Sequence, residues 1–439
     1  MLRIEIPHFA FEEIAYTIRT LLNCINVKEA VDMVAFEGNK TTFYFSDKYF
    51  SIENHFFQEG GSPETWYKMA NIPTQIKYFK PTFCEESLLV LFGEAIETKE
   101  TSGIKIKADL IATAFFMLSR WEEYAEKRKD EHGRFLAEAA LSVKHNFIQI
   151  PIVNQIASYL REIFTWLGYE CPEQSTGQMT MTFDIDYVYK WKSIKNLGGA
   201  ILRNGLNFSQ SFGDLRSFAQ SKNDKSLDPY FSFDFILEAL SNRQQKAVFY
   251  FKSEIEQQIF DDADYELQDA NIQLIIQNIL KEGHQIGLHP SYASFHKPGL
   301  LAKEKNKMLD ALHGKPLVKV RQHFLRIQFP ETFHLLQNEG FTEDSSSMYT
   351  HFSGFRNGVA NRFNVFDFLS RKELQISILP LISMMSVSRS IPLAGVVSEM
   401  IELSRKVQKY HGEANLLWHN SDLDTSEKKE AFISVLDAI

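Results

Sequence analysis

Two hydrophobic rhythms alternate along the chain, and the place where one takes over divides it. In the first part they are mixed. Apolar residues recur at helical spacing in FEEIAYTIRTLLNCI (11–25), in DLIATAFFMLSRWEEYAEKRK (109–129), where Asp109 is placed as an N-cap, and in IPIVNQIASYLREIFTWLG (150–168). KTTFYFSD (40–47) and SLLVLFGEA (87–95) read as strands. The stretch YECPEQSTGQ (169–178), polar and carrying Pro and Gly, breaks both rhythms. It marks the boundary between a smaller N-terminal α+β domain, residues 1–172, and a second domain, residues 173–439.

After the boundary strand and helix take turns. Strands are expected at 179–185, 246–252, 284–289, 318–324, 341–346, 374–381 and 414–420, and helices at 233–245, 271–283, 302–314, 331–340 and 393–412. Such alternation implies parallel pairing through right-handed crossovers. The fold class is α/β, and about seven units in this length suit an irregular (β/α) barrel. An open doubly wound sheet is the alternative, but the glycine fingerprint of a dinucleotide fold is missing.

Composition narrows the class of function. The chain has 439 residues, 44% hydrophobic and 23% charged, as expected of a globular protein. Its 47 basic and 56 acidic residues leave a net charge of −9 with no basic stripe for a phosphate backbone, so nucleic acid is not an expected partner. The mixed-sign run EKRKDEHGR (126–134) reads as a solvated helix end and turn. Three scattered cysteines, Cys24, Cys84 and Cys171, form neither a zinc spacing nor a disulfide framework. No apolar run is long enough for a membrane span, and the start lacks a signal-peptide core. A cytoplasmic location is the expectation.

Candidate chemistry gathers at strand ends, where barrels of this kind carry it. MTMTFDIDY (179–187) closes an apolar strand with Asp184 and Asp186, and period-two geometry turns both to one side. Two converging carboxylates repel unless a cation or a proton lies between them, and a divalent metal is the simplest solution. One Asp capping the next segment and the other in solvent satisfies the pair equally well. GHQIGLHPSY (283–292) brings His289 to a strand end, while His284, at the strand start, suits a structural or surface role. LLWHNS (416–421) brings His419 to the same kind of position.

In this order the segments resemble the NodB-type polysaccharide deacetylases, carbohydrate esterase family four, over about residues 178–421. Thr182-Phe183-Asp184-Ile185-Asp186 matches the first motif, GHQIGLHPSY the lead-in to the second, VRQHFLRIQFPETFHLLQNEGFTEDSSS (320–347) the third, and Leu417-Trp418-His419 the last. The whole chain, with FFMLSRWEEY (115–124) and GFRNG (354–358), is similar to a two-domain deacetylase-like subgroup. The resemblance implies a metal-dependent hydrolase of non-peptide amide bonds that removes acyl groups from a carbohydrate or small N-acylated substrate. It implies Asp184 as catalytic base, Asp186 and His289 as ligands of a divalent cation such as zinc, Arg321 as the residue orienting the base, and His419 as catalytic acid. One departure stands out. The family's second metal histidine falls on Ala293. His323 is the first candidate to replace it and His296 the second, since two protein ligands are too few for zinc. Tyr187, Tyr292 and Trp418 are candidates to stack on sugar rings, and Arg356 of GFRNG is a further candidate for substrate binding. Two alternatives stay open: a catalytically silent carbohydrate-binding or assembly protein on the same barrel, and a small-molecule amidohydrolase.

Overall fold

Every strand expected in the second half has a counterpart, and two more join them. The computed structural model describes residues 2–27, 31–205, 207–253, 260, 263–386 and 391–439. The seven are Gln178–Ile185, Ala247–Phe251, Gln285–Leu288, Lys319–Val320, Glu343–Asp344, Lys372–Ile378 and Glu413–His419. Phe363–Asp367 and Leu381–Met384 complete a nine-stranded sheet. Its spatial order is 363–367, 372–378, 343–344, 319–320, 285–288, 247–251, 178–185, 413–419, 381–384. Among the described residues, only the 363–367 strand of this sheet runs antiparallel to its neighbour. All other pairs are parallel, so the other eight strands end on one rim.

A barrel of about seven strands is therefore not what forms. Among the described residues the sheet has nine strands, and its two edge strands are not paired with each other. It is nevertheless strongly curled. Arg321, just past the 319–320 strand, donates from Nη2 to Asn415 Oδ1 at 2.6 Å, four strands away. In a flat sheet that separation is about 19 Å, beyond the reach of an arginine. Ser345 Oγ likewise donates to Tyr250 Oη at 2.7 Å across three strand positions. The 363–367 edge is covered instead of closed. Tyr16 donates its hydroxyl to the Asn364 carbonyl at 2.8 Å, and Tyr16 and Phe115 pack on Phe366. An edge shielded in this way needs no partner strand.

The first half builds a mixed six-stranded sheet ordered Asp32–Phe36, Arg3–Pro7, Lys40–Phe45, Lys48–Glu53, Gly103–Ala108, Gly93–Lys99, beside a hairpin of Lys77–Phe79 and Leu88–Val90. The expected strand 87–95 is thus shared between two strands. Asp109 caps its helix as expected, accepting from the Ala112 N–H at 2.9 Å. The helix expected over 109–129 is two, Leu110–Ser119 and Trp121–Ala125, broken where Arg120 adopts a left-handed φ of 54°. That break lets the fully buried Arg120 guanidinium meet Glu122 and Glu123, both at 3.0 Å.

One hydrophobic core runs through both halves, joining Ile4, Phe43 and Phe164 to Phe183, Phe249 and Trp418. The expected helices of the second half appear as Phe233–Ser241, Ala270–Lys281, Pro298–Ala311, Glu331–Asn338 and Leu393–Lys409. The pattern did not announce Ile194–Asn204 and Phe208–Asn223, which form a helical hairpin, or Ser426–Leu436. Glycines at 198, 199, 205 and 213 dilute the helical signal of that hairpin.

Candidate metal centre

Strand alternation sorts the rim residues. On the 413–419 strand, Ala414, Leu416 and Trp418 face outward under helices, while Asn415 and His419 face the concave side. On the 178–185 strand, Thr182 and Asp184 share that concave side, and His419 lies opposite Asp184 in register. Arg321 fills the bowl they make. Its Nη1 donates to Thr182 Oγ1 at 2.8 Å and to Asp184 Oδ1 at 3.3 Å, and it also reaches Ser345 and Asn415. Fully buried and so restrained, it fixes the orientation of the Asp184 carboxylate.

Asp186 lies one residue past the strand and still reaches the same pocket. Its Oδ1 is 3.4 Å from His289 Nε2 and 3.7 Å from His323 Nε2. The ligand atoms of these three residues all lie within 4.8 Å of one another. Tetrahedral zinc with bonds of about 2.0 Å separates neighbouring ligand atoms by about 3.3 Å, so the set is close to the spacing such an ion needs. The tautomer of His289 follows from its partner. Nδ1 lies 2.6 Å from the Arg321 carbonyl, which can only accept, so Nδ1 carries the proton and Nε2 presents a lone pair. Burial is the main reason the His289 pKa falls to about 4, so the ring is neutral at neutral pH. Among the described residues, Asp186 Oδ1 and His289 Nε2 are both buried without a hydrogen-bond partner. Such orphaned atoms are costly unless something else meets them. The residues present fit a divalent cation.

Burial alone would raise the Asp186 pKa. His323, Lys252, His289 and His419 around it outweigh that and hold the carboxyl well below the usual range. Lys252, just past the 247–251 strand and 4% exposed, sets its Nζ 3.6 Å from Asp186 Oδ1. On the far side, His419 Nε2 is 3.6 Å from Asp186 Oδ2, and His419 Nδ1 is 3.1 Å from Asp422 Oδ2. Burial opposes the charge on His419, but Asp422, with Asp186 and Asp184 behind it, pushes its pKa up to about 10. His419 is therefore a protonated donor held in place by a carboxylate.

Asp184, Asp186, His289, Arg321, His323 and His419 thus converge on one rim. His323 arrives by a different route from the one its spacing suggests. The expected strand 318–324 ends at Val320, and His323 opens a short 3-10 turn with Phe324 and Leu325 at φ 59° and 52°. Such backbone is uncommon for non-glycine residues. The run 126–134, expected to be solvated, braces this turn: Arg134 donates to the Phe324 carbonyl at 2.8 Å, and Arg326 donates to the His132 carbonyl at 2.8 Å. His296 is exposed, and Ala293 sits in the 3-10 turn Tyr292–His296. His284 plays a structural part, its Nδ1 accepting from the Ala247 N–H at 3.2 Å.

The substrate-binding candidates divide. Tyr187 is half-buried beside Asp186, with Lys192 over its ring at 4.7 Å. Tyr292 is half-buried in an aromatic group with His132, Phe260 and Phe324. Trp418 cannot stack on a sugar: it is fully buried and packs edge-on against Phe432, because its position in the strand is one out of step with His419. Arg356 is 4% exposed and committed to Glu123, donating at 3.0 and 2.6 Å, and to the Met348 carbonyl at 3.1 Å, so it is placed as a structural ion-pair partner. Two residues escaped sequence reading. Asp422 follows His419 by three positions, a spacing that could have drawn attention to it. Lys252 is one residue past an apolar strand, the same signal that marked Asp186.

Residues 2–167 match the model of a family described as a family of unknown function, DUF7033. No curated protein matches the chain. Among solved structures, the chain is similar to one described as a "putative polysaccharide deacetylase from Mycobacterium smegmatis", at 14% identity and a TM-score of 0.39, over 61% of this chain and 85% of that one.

Proposed function

We propose that this protein is a metal-dependent hydrolase that removes acyl groups, N-acetyl foremost, from a carbohydrate. The observation that carries the proposal is the pair of buried, unpartnered atoms Asp186 Oδ1 and His289 Nε2, 3.4 Å apart with His323 beside them. A divalent cation such as zinc, held by these three residues, would supply Lewis-acid polarisation of the acyl carbonyl and of water. Asp184, oriented by Arg321, accepts the proton of the attacking water. His419, kept protonated by Asp422, delivers a proton from Nε2 to the leaving amine. In this reading residues 173–439 carry the chemistry, and residues 1–172 brace the rim through Arg134.

The deciding experiment pairs calorimetric titration of the metal-stripped protein with zinc and measurement of acetate release from N-acetylglucosamine oligosaccharides. Wild-type protein should bind zinc near one equivalent and release acetate. Asp184→Asn should keep the metal and lose turnover. Acetate release undiminished in Asp184→Asn would sink the assignment of the base. The second reading, a silent carbohydrate-binding protein, is favoured by Lys252, whose ammonium can neutralise Asp186 without a metal. It replaces the first if wild-type protein binds the oligosaccharide but neither zinc nor Lys252→Met restores any acetate release.

A further inference from the structure

The helical hairpin of Ile194–Asn204 and Phe208–Asn223 is built inside out. Its own core is small, made of Trp191, Leu197, Ala200 and Phe218. Its larger apolar side chains point away from that core. Leu202 (82%), Phe208 (78%), Phe212 (70%) and Ile194 (69%) are the four most exposed large apolar residues among those described. Leu215 and Ile201 add to them. Phe208, Phe212 and Leu215 stand at i, i+4 and i+7, one stripe of their helix, and Ile194, Ile201 and Leu202 at i, i+7 and i+8 of the other. Scattered exposed apolar residues are ordinary, whereas a stripe of them along each of two contacting helices marks an interaction surface.

The hairpin holds its shape without using those stripes. Lys190 Nζ lies 2.9 Å from Asp214 Oδ1, Asn204 donates to Asp214 Oδ2 at 2.9 Å, and Trp191 Nε1 donates to Ser217 Oγ at 2.8 Å. At its base the Asp228 carboxylate accepts the backbone N–H groups of Lys190 and Trp191.

Charge identifies the partner. Residues 190–222 contain six basic residues and one acidic, a net of +5 in a chain whose total is −9. Lys195, Arg203, Arg216 and Lys222 are exposed on the same two helices as the apolar stripes. Apolar side chains flanked by lysine and arginine are the pattern of helices that lie in the interface of an anionic bilayer. A second copy of the chain would bring the same positive charge against itself, which disfavours self-association through this face. We propose that the hairpin is a peripheral anchor that docks on an anionic lipid surface.

The test is co-sedimentation of the full chain with phosphatidylglycerol/phosphatidylcholine vesicles and with pure phosphatidylcholine vesicles. Binding to the anionic vesicles is expected, with at least a roughly 10-fold loss of partitioning in the Phe208→Ser/Phe212→Ser variant. Lys195→Gln/Arg216→Gln should weaken binding to the anionic vesicles only, as should raised salt. All four side chains are exposed, so thermal melting should match wild type. Wild-type protein that does not sediment with phosphatidylglycerol vesicles overturns the proposal. So does a dimer, seen by light scattering, that the two Phe substitutions dissociate, because the stripes then cover a second copy. Neither readout involves turnover, so the result stands apart from the hydrolase reading.

Discussion

Two buried centres in this molecule combine arginine with carboxylates, and they are built on opposite terms. Around Arg356, Glu123 takes two hydrogen bonds from that arginine at 3.0 and 2.6 Å, one from Arg120 at 3.0 Å and one from the Tyr349 hydroxyl at 2.9 Å. Burial would raise the Glu123 pKa, but the two arginines bring it down to about 2. Its acceptor capacity is filled by the protein. At the rim, by contrast, the cations and imidazoles around Asp186 stop at 3.4 to 3.7 Å, and among the described residues Oδ1 accepts no hydrogen bond. A saturated carboxylate holds the fold together. An unsaturated one, held at ligand spacing just beyond the strand ends and in the turn that carries His323, is available to a cation.

That contrast can be broken most directly at Asp186. Asp186→Ala should reduce cation affinity by more than the roughly 10- to 100-fold that loss of an outer partner costs, with little change in folding stability. Calorimetric titration and denaturant unfolding of the same sample test both halves of that statement. A variant that unfolds easily yet still binds zinc would place Asp186 with the structural carboxylates.

Glu123→Ala should do the reverse. It leaves Arg120 and Arg356 buried without their shared partner, at a cost of about 3–5 kcal/mol, measured by urea unfolding. Zinc affinity of the folded fraction should stay within a few-fold of wild type. A comparable loss of affinity would mean that the two centres are coupled.

A smaller effect should separate His419 from its neighbours. In metal-free protein its NMR titration should centre near pH 10, and Asp422→Asn should bring it down, since Asp422 is the largest influence raising it. The linked stability has a definite sign. A histidine raised from 6.5 to about 10 contributes stability that is complete below pH 6.5 and lost as pH climbs through 10. The unfolding midpoint should therefore fall over that window more in wild type than in Asp422→Asn. An unshifted titration in the variant would remove Asp422 as the positioning group.

The smallest change is expected at Ala293. If His323 completes the ligand set, Ala293→His should leave zinc affinity within about 3-fold of wild type, whereas His323→Ala should lower it at least about 10-fold. A large gain from Ala293→His would show that the third place was not filled by His323.

Much of this arrangement is legible in the amino-acid sequence. Local pattern is sufficient where a residue's fate depends on its immediate neighbours. The period-two runs around Asp184, His289 and His419 specified strands, and strand ends in alternating α/β folds share one rim. Asp109 capped its helix as its position required. The sequence was silent or misleading where distant segments compete for the same residue. Trp418 looked like a sugar platform until strand parity and the helix bearing Phe432 claimed it for the core. Arg356 looked available until Glu123, more than two hundred positions away, was seen to use it.

The chain by itself thus determined the parallel strands and the strand-end positions of Asp184, Asp186, His289 and His419, because periodicity is a local property; Arg321 came from the family resemblance, and Lys252 and Asp422 from the tertiary structure. Tertiary structure alone decided the open, nine-stranded curl, since closing that sheet competes with covering its edge by Tyr16 and Phe115. It alone gave His323 its place, through a left-handed turn braced by Arg134 from the other half of the chain. It alone revealed which polar atoms remain unspent, because satisfaction of a buried group depends on every segment that packs around it.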